Sequence, residues 1–480
     1  MSSEQYDVIV CGAGSAGQAA AIFAARKGAK VLAIEHGDEI GGNTARSTGQ
    51  MSAAGTRLQK ARGIHDTPDL HFDDIMRISH GTADPVIVRL AVDNAADTLH
   101  WLLDHGLELL PGMPVVFKGH EPYRVARTYW GPDRGGPPVQ KVLGPQFQSE
   151  VVAARIALRL ETEVTDLIQD GAAVVGVVAR SKDGTVTSYR GKNVILTMGG
   201  YAANEKVLPK YTGGYPLWKG GPAFGSHPRA NGTSHQLGEK VGGYVRFKEF
   251  FLPTVGFVKD PDNPGGTAII TKMLGSAMGP RVMWEIWVNA KGERWVNEAT
   301  ESPDEKENAI LGIPDLTFWC IYDQAAREKS DCLFMGRTHE QVDPWFNTHD
   351  SFRRADTLDG LAKAMGVEAA GFKRTIERYN AFVGRGKDDD FGREMLPAPI
   401  AVPPFYGIAH HGLSITGFAG LAVNGELQVV KPDGSAIPGL YAAGESLGLG
   451  ATSGRSFCGG MALMPAMTFG RLLGDRILKW

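Results

Sequence analysis

The chain has 480 residues, enough for two or three domains, with 43% apolar residues and a formal net charge of −3. No basic excess points to nucleic acid and no polybasic tail to a membrane surface. The longest apolar runs, such as Val194-Ile195-Leu196, fall far below the roughly 18 residues of a spanning helix. The polar N-terminus does not read as a secretory leader, and Cys11, Cys320, Cys332 and Cys458 lack metal-ligand or redox spacing, so a cytoplasmic protein is expected.

In chain order, residues 6–11 form a short apolar run predicted to be a buried parallel strand. The turn Gly12-Ala13-Gly14-Ser15-Ala16-Gly17 follows, then an Ala-rich helix from Gln18 to Lys27 that stops at Gly28. A second buried strand, 30–34, ends in Glu35 and completes a βαβ unit of the doubly wound kind. Helices are predicted over 84–105 and 144–160, hairpin strands over 163–178, and a buried strand over 194–198 before Gly199-Gly200. From about 250 to 400, tryptophan, proline and charge rise and parallel-strand runs disappear, which reads as an inserted cap with a Pro-rich exit. Ile437 to Glu445 returns to strand-then-glycine, and a helix over about 462–478 closes the chain. The expected division is therefore 1–249 and 401–480 for one discontinuous domain and 250–400 for the cap. The 62 glycines imply many tight turns and close backbone approaches, as a large cofactor lying against backbone requires.

A helix N-terminus offers unpaired N–H groups and partial positive charge to a pyrophosphate. Gly12 permits the sharp turn, Gly14 lets backbone approach the phosphates, and Gly17 lets helix and strand pack closely. Glu35, at the end of the second strand, is placed to accept hydrogen bonds from ribose hydroxyls. Three further segments favour FAD over NAD: Gly41-Gly42-Asn43-Thr44, Thr197 to Gly200, and Gly444-Glu445.

On these segments, and on Val288 to Glu298 and Ile437 to Arg471, the chain resembles the fumarate reductase and succinate dehydrogenase flavoprotein superfamily. The stretches Gly439 to Gly444 and Pro465 to Gly470 look nearest to its 3-ketosteroid dehydrogenase branch. The resemblance implies an α/β, Rossmann-like FAD-binding domain of the glutathione-reductase type with an inserted α+β cap. It extends the cofactor set from Gly12, Gly14, Ser15, Ala16, Gly17, Glu35, Gly42, Asn43, Thr44, Thr197, Gly199, Gly200, Gly444 and Glu445 to His36, Ser47, Gly49, Gln50 and Val164. It also implies that the backbone of Ala462 and Leu463 faces the flavin. No histidine falls between Gly41 and Gly49, so non-covalent FAD is expected.

Superfamily enzymes move a hydride between flavin N5 and one carbon of a C–C bond while a side chain moves a proton at its neighbour. Where the resemblance places substrate-binding and proton-donating groups, this chain has Leu252, Ser302, Thr416 and Phe457. These replacements argue against fumarate and weaken a steroid 3-ketone. Candidate groups for the chemistry are Arg281, Tyr129 with a phenol made acidic by Arg127, Glu301, Arg455 and one of His410 and His411, with His411 preferred. Adjacent strand residues face opposite sides, so only one of the two histidines can point at the site. The expected reaction is dehydrogenation, or the reverse reduction, of a C–C bond next to a carbonyl in an apolar alicyclic or steroid-like ketone or enone. Alternatives are oxidation of a C–N or C–O bond, or a flavin-binding electron-transfer protein with an altered site. A small-molecule substrate and a diffusible electron acceptor or donor are expected, with no nucleic acid and no integral membrane association. No metal site is expected.

Overall fold

The computed structural model describes residues 5–117, 120–132, 135–214, 225–262, 268–272, 281–334 and 336–479. The first parallel strand (β1, Gln5–Cys11) pairs on one side with the second (β2, Val31–Ile34) and on the other with Val186–Leu196. The last parallel strand, Ala436–Ala442, lies beyond Val186–Leu196, and Ile156–Arg159 lies beyond β2. Val8, Ile9 and Val10 of β1 and all of β2 are fully or almost fully buried, as a sheet covered on both faces demands. The hairpin Thr162–Asp170 and Ala173–Ser181 pairs antiparallel with Val186–Leu196.

One expected element divides in two. The predicted helix over 144–160 is the helix Pro137–Val152 followed by the strand Ile156–Arg159. Pro137 and Pro138 open the helix, where their missing N–H groups cost nothing, and Ala154 at φ 57° turns the chain out of it. Four residues of strand are too short to show a period of their own.

The helix after the glycine turn (α1, Ser15–Arg26) packs against the C-terminal helix Leu463–Arg476 through small residues. Side chains at Gly470 and Gly474 would overlap the carbonyls of Ala16 and Ala20. Two distant parts of the sequence thereby form one cofactor-binding body.

The cap is built on an antiparallel sheet, as its lack of parallel runs predicts. Thr254–Val258, Phe405–Leu413, Thr317–Asp323 and Ile286–Val288 follow one another, and Phe352–Ala355 also pairs with Phe405–Leu413. The strand Phe405–Leu413 is buried throughout and lies in the middle of this sheet, so the cap extends past the expected boundary at 400 to at least Leu413. The proline run is a bend before the central strand and not an exit. Trp287, Phe318, Phe352 and Ile408 fill one side of the sheet. Tyr406 stacks on Tyr322 at 5.1 Å and donates to Gln324 in the cap core.

A buried ionic lock holds the cap segment Val288 to Glu298. Arg294 makes two bonds of 2.7 Å to the Glu298 carboxylate and one of 2.9 Å to Asp388. Arg393 reaches Glu298 at 3.4 Å and the Glu285 carbonyl at 2.8 Å, and Glu298 also accepts from the Trp287 N–H. Removing one partner leaves buried charge without compensation, which costs about 3–5 kcal/mol. Glu298→Ala is expected to destabilise the cap by that amount, read as a lower urea midpoint of tryptophan fluorescence. A loss below about 1 kcal/mol would show that the lock is not holding the cap.

Candidate active site

The glycine turn does two different jobs. A side chain on Gly17 would overlap the Gly12 carbonyl, and one on Gly12, at φ 100°, would overlap the Thr197 backbone. Both glycines therefore let α1 sit directly on the strand ends. Gly14 has only the Gly41 carbonyl, at 4.0 Å, near its missing Cβ, so its open side is a cradle. The N–H groups of Ala16 and Gly17 lie in the first turn of α1, where no earlier carbonyl of the helix can take them. Ser15 N–H reaches Thr44 Oγ1 at 3.2 Å, and Gly42 approaches the Gly14 Cα.

Two carboxylates mark the ends of this cradle. Glu35 accepts from the N–H groups of Ala13 (2.8 Å) and Gly37 (2.7 Å), one on each oxygen. Each oxygen keeps a second lone-pair direction for a ribose hydroxyl. Glu445 accepts from Asn43 Nδ2 (2.9 Å), Thr416 Oγ1 (3.0 Å) and Gly417 N–H (3.2 Å). Any side chain on Gly200 would collide with it. Asn43 Oδ1 in turn accepts from His227 N–H at 2.8 Å.

The remaining expected cofactor residues divide into liners and supports. Ala462, at the start of the C-terminal helix, is exposed and Leu463 behind it is buried, which leaves the first helical turn open toward the cleft. Gln50 is buried with Nε2 unpartnered, facing Gly459 at the far end. An orphaned amide of this kind fits a flavin edge that supplies its acceptor. Thr197 instead gives its hydroxyl to the carbonyls of Cys11 and Gly12, both at 2.8 Å, and so secures the turn from behind. Ser47 bonds the Thr44 carbonyl and the Gly49 N–H, and Gly49 lies against Gly135. Gly444 packs on Ala16, Val164 is buried, His36 is exposed, and Gly199 lies beside Glu445. These residues fit FAD, which Gly14 and the start of α1 would hold by its phosphates, Glu35 by a ribose, Glu445 by the ribityl chain, and Gln50, Ala462 and Leu463 by the ring system.

The expected acid–base residues are placed differently. Tyr129 is fully buried and its hydroxyl lies 2.6 Å from Thr56 Oγ1. Burial pushes the phenol up to about 12, which overturns the expected acidification by Arg127. Arg127 is itself neutralised by Asp66 (2.8 Å) and Asp74 (2.9 Å). Arg281 is held by Glu285 in bonds of 2.6 and 2.8 Å, a structural pair inside the cap; Gly279 and Pro280 before it lie outside the described residues. His411 sits between Phe257 and Thr317 in the cap sheet, and burial lowers it to about 4, so it is a neutral core residue. His410 stacks on Phe318 at 5.3 Å. Glu301 and Arg455 are exposed, and neither side chain has a hydrogen bond among the described residues.

The structure gathers another set at the mouth of the cleft. His120 stacks on Phe457 at 4.1 Å, and Tyr123 donates to the Gly459 carbonyl at 2.6 Å. The segment 120–123 is thereby docked on the glycine loop after Phe457. From the cap, the helix Pro303–Ala309 brings Asp304 and Glu307 to the same place, and Ser302 bonds Glu121. Ligating atoms of His120, Asp304 and Glu307 all lie within 4.8 Å of one another. Sequence reasoning missed all three. The i,i+3 spacing of the two acids marks one helix face, but nothing in the sequence joins that face to His120. Beside them Leu252, Phe418 and Leu449 form an apolar cluster with Phe250 and Phe457.

Gly14→Val fills the cradle and is expected to weaken FAD retention at least tenfold, about 1.4 kcal/mol, seen as lost visible flavin absorbance in purified protein. Full flavin occupancy in this variant would refute the placement of the phosphates.

A family model described as FAD binding domain matches residues 7–461. The fumarate reductase (cytochrome) of Shewanella frigidimarina is 30% identical over 99% of this chain and 77% of its own. The NADH:fumarate oxidoreductase of Klebsiella pneumoniae is also 30% identical over 99% of this chain, which spans 48% of that relative's length. The 3-oxosteroid 1-dehydrogenase of Mycobacterium tuberculosis is 26% identical over 98% of both chains. The 3-ketosteroid Δ1-dehydrogenase structure from Sterolibacterium denitrificans shares the fold, with a TM-score of 0.79, 21% identity and 99% coverage of each chain. The cradle, the two braced carboxylates and this match agree: the chain belongs to the FAD-binding-domain family, an FAD-dependent oxidoreductase of the class acting on carbon–carbon bonds.

Proposed function

We propose that the chain dehydrogenates, or in the reverse direction reduces, a C–C bond next to a carbonyl in a largely apolar alicyclic or steroid-like ketone or enone. The apolar cluster at the cleft mouth carries this reading. Leu252 and Phe457 occupy positions expected to hold a substrate's carboxylates, and they pack with Phe250, Phe418 and Leu449. Thr416, at another such position, is engaged with Glu445. Ser302, at the fourth, caps the helix Pro303–Ala309 and bonds Glu121. A dicarboxylate at these four positions would lose water without gaining a cation from any of them, which argues against fumarate although fumarate reductases are among the relatives.

Bound FAD supplies the hydride acceptor or donor at N5. The protein's part is to hold the ketone against Phe457 and Leu252, exclude water, and polarise the carbonyl through backbone N–H groups at Gly459-Gly460. FAD is held non-covalently, and a diffusible partner carries electrons to or from it. The absence of a cytochrome haem motif or a ferredoxin-type cysteine cluster within these 480 residues supports that partner. Among the described residues no helix is long and apolar enough to cross a membrane.

Anaerobic mixing of the yellow protein with saturated cyclic ketones is expected to bleach the flavin, whereas amines and alcohols leave it unchanged. Bleaching by an amine or alcohol would move the reaction to a C–N or C–O bond; no reaction across the panel would favour an electron-transfer role. Phe457→Ala is expected to raise KM for the ketone about 10- to 100-fold, the worth of one buried aromatic contact of about 1.5–3 kcal/mol. Acid precipitation is expected to release all of the FAD into the supernatant, and flavin remaining with the pellet would show a covalent bond.

A further inference from the structure

Of the groups first expected to move the proton, Tyr129, Arg281 and His411 are held in other contacts and Glu301 and Arg455 are exposed, while half-buried His120 meets buried Asp304 and Glu307 beside Phe457. His120 Nδ1, Asp304 Oδ1 and Glu307 Oε1 are each buried and, among the described residues, each without a hydrogen-bond partner, and all three converge within 4.8 Å. Asp304 Oδ1 lies 3.9 Å from His120 Nδ1. Glu307 is only 1% exposed, and its Oε1 lies in this cluster without a hydrogen bond among the described residues. Buried polar atoms are rarely left in this state without a task, because each costs the full desolvation of the group. The His120 ring keeps 17% of its side-chain surface exposed while Nδ1 is buried, so Nε2 is its accessible nitrogen.

We propose that His120 is the catalytic acid–base of this enzyme, positioned by Asp304 and backed by Glu307 as the inner member of a proton relay. The proposal rests on the C–C reading above. In the oxidative direction the α C–H bond breaks, its electron pair stays on the substrate as an enolate, and the proton bonds to His120 Nε2. The hydrogen on the β carbon would leave with the C–H electron pair as hydride, for which bound FAD would supply the acceptor. The imidazolium shares its Nδ1 proton with Asp304, and between turnovers the Nε2 proton passes to water, which restores the Nδ1–H form. Reduction runs the same steps backward. Asp304 orients the ring as a buried carboxylate behind an imidazole; the 3.9 Å gap closes when substrate packs on Phe457, as catalytic hydrogen bonds commonly tighten in the complex. Burial first, and the nearby Asp304 charge second, push the Glu307 carboxyl well above its ordinary range. The other charged or titratable groups close by are Glu121, bonded to Ser302, the buried Cys458 thiol, and Lys306 beside Glu307.

The arrangement is tested on the FAD-loaded enzyme with 2-cyclohexen-1-one as oxidant of the pre-reduced protein and cyclohexanone as reductant of the oxidised one. His120→Ala is expected to slow both half-reactions by about 10²- to 10⁴-fold with the flavin spectrum unchanged, and added imidazole is expected to restore at least tenfold. Asp304→Asn is expected to lower kcat with KM retained, and Asp304→Glu to recover part of it. Wild-type rates in His120→Ala would overturn the relay, whereas an inert wild-type enzyme would count against the substrate reading alone. A measurement without substrate separates the two: ¹⁵N-histidine spectra, assigned by His120→Gln, are expected to show the Nδ1–H tautomer of His120 and its loss in Asp304→Asn. An Nε2–H tautomer, or one divalent metal per chain by elemental analysis that is lost in Glu307→Gln, would replace the relay with a different site.

Discussion

The contact between Gly17 and the Gly12 carbonyl is the constraint on which the cleft depends. Nothing larger than hydrogen fits there, so α1 starts on the strand end and its first-turn N–H groups project over Gly14. Thr197 fixes the same point from behind by bonding two consecutive carbonyls of the turn. Once that corner is set, Glu35 follows at the end of the neighbouring strand, because β1 and β2 are paired in register from Val8↔Val31 to Cys11↔Ile34. The C-terminal helix is fixed by the same α1 through Gly470 and Gly474. Both ends of an elongated cofactor are thus located relative to one glycine contact.

The cofactor half of the site was legible because its logic is local. Gly12 to Gly17, Glu35 and Gly444-Glu445 are each a turn or strand end whose chemistry follows from a few neighbouring residues. The brace on Glu445 shows the limit: Asn43, expected as a cofactor residue, and Thr416, expected at a substrate position, both bond the same carboxylate. That pairing depends on where the central cap strand ends, which is a tertiary fact.

The catalytic half was not legible because its residues are brought together by docking. Tyr129 and Arg281 carry suggestive chemistry in sequence, yet burial and a dedicated partner remove each from use. His120 stands in a Gly- and Pro-rich stretch with no periodicity, and Asp304 and Glu307 lie on a single short helix of the cap. The stacking of His120 on Phe457, the bond from Tyr123 to Gly459 and the bond from Ser302 to Glu121 bring that stretch to the helix. The predicted cap boundary failed for a related reason: prolines mark bends, and whether a bend leaves a domain or enters its central strand depends on pairing the sequence does not display.

The strand Phe405–Leu413 has one further consequence. It lies at the middle of the cap sheet, and three residues beyond it the chain grips Glu445 through Thr416 and Gly417. The cap's central strand is therefore only three residues of chain away from the grip on Glu445, so the position of that strand and the orientation of the carboxylate are set together.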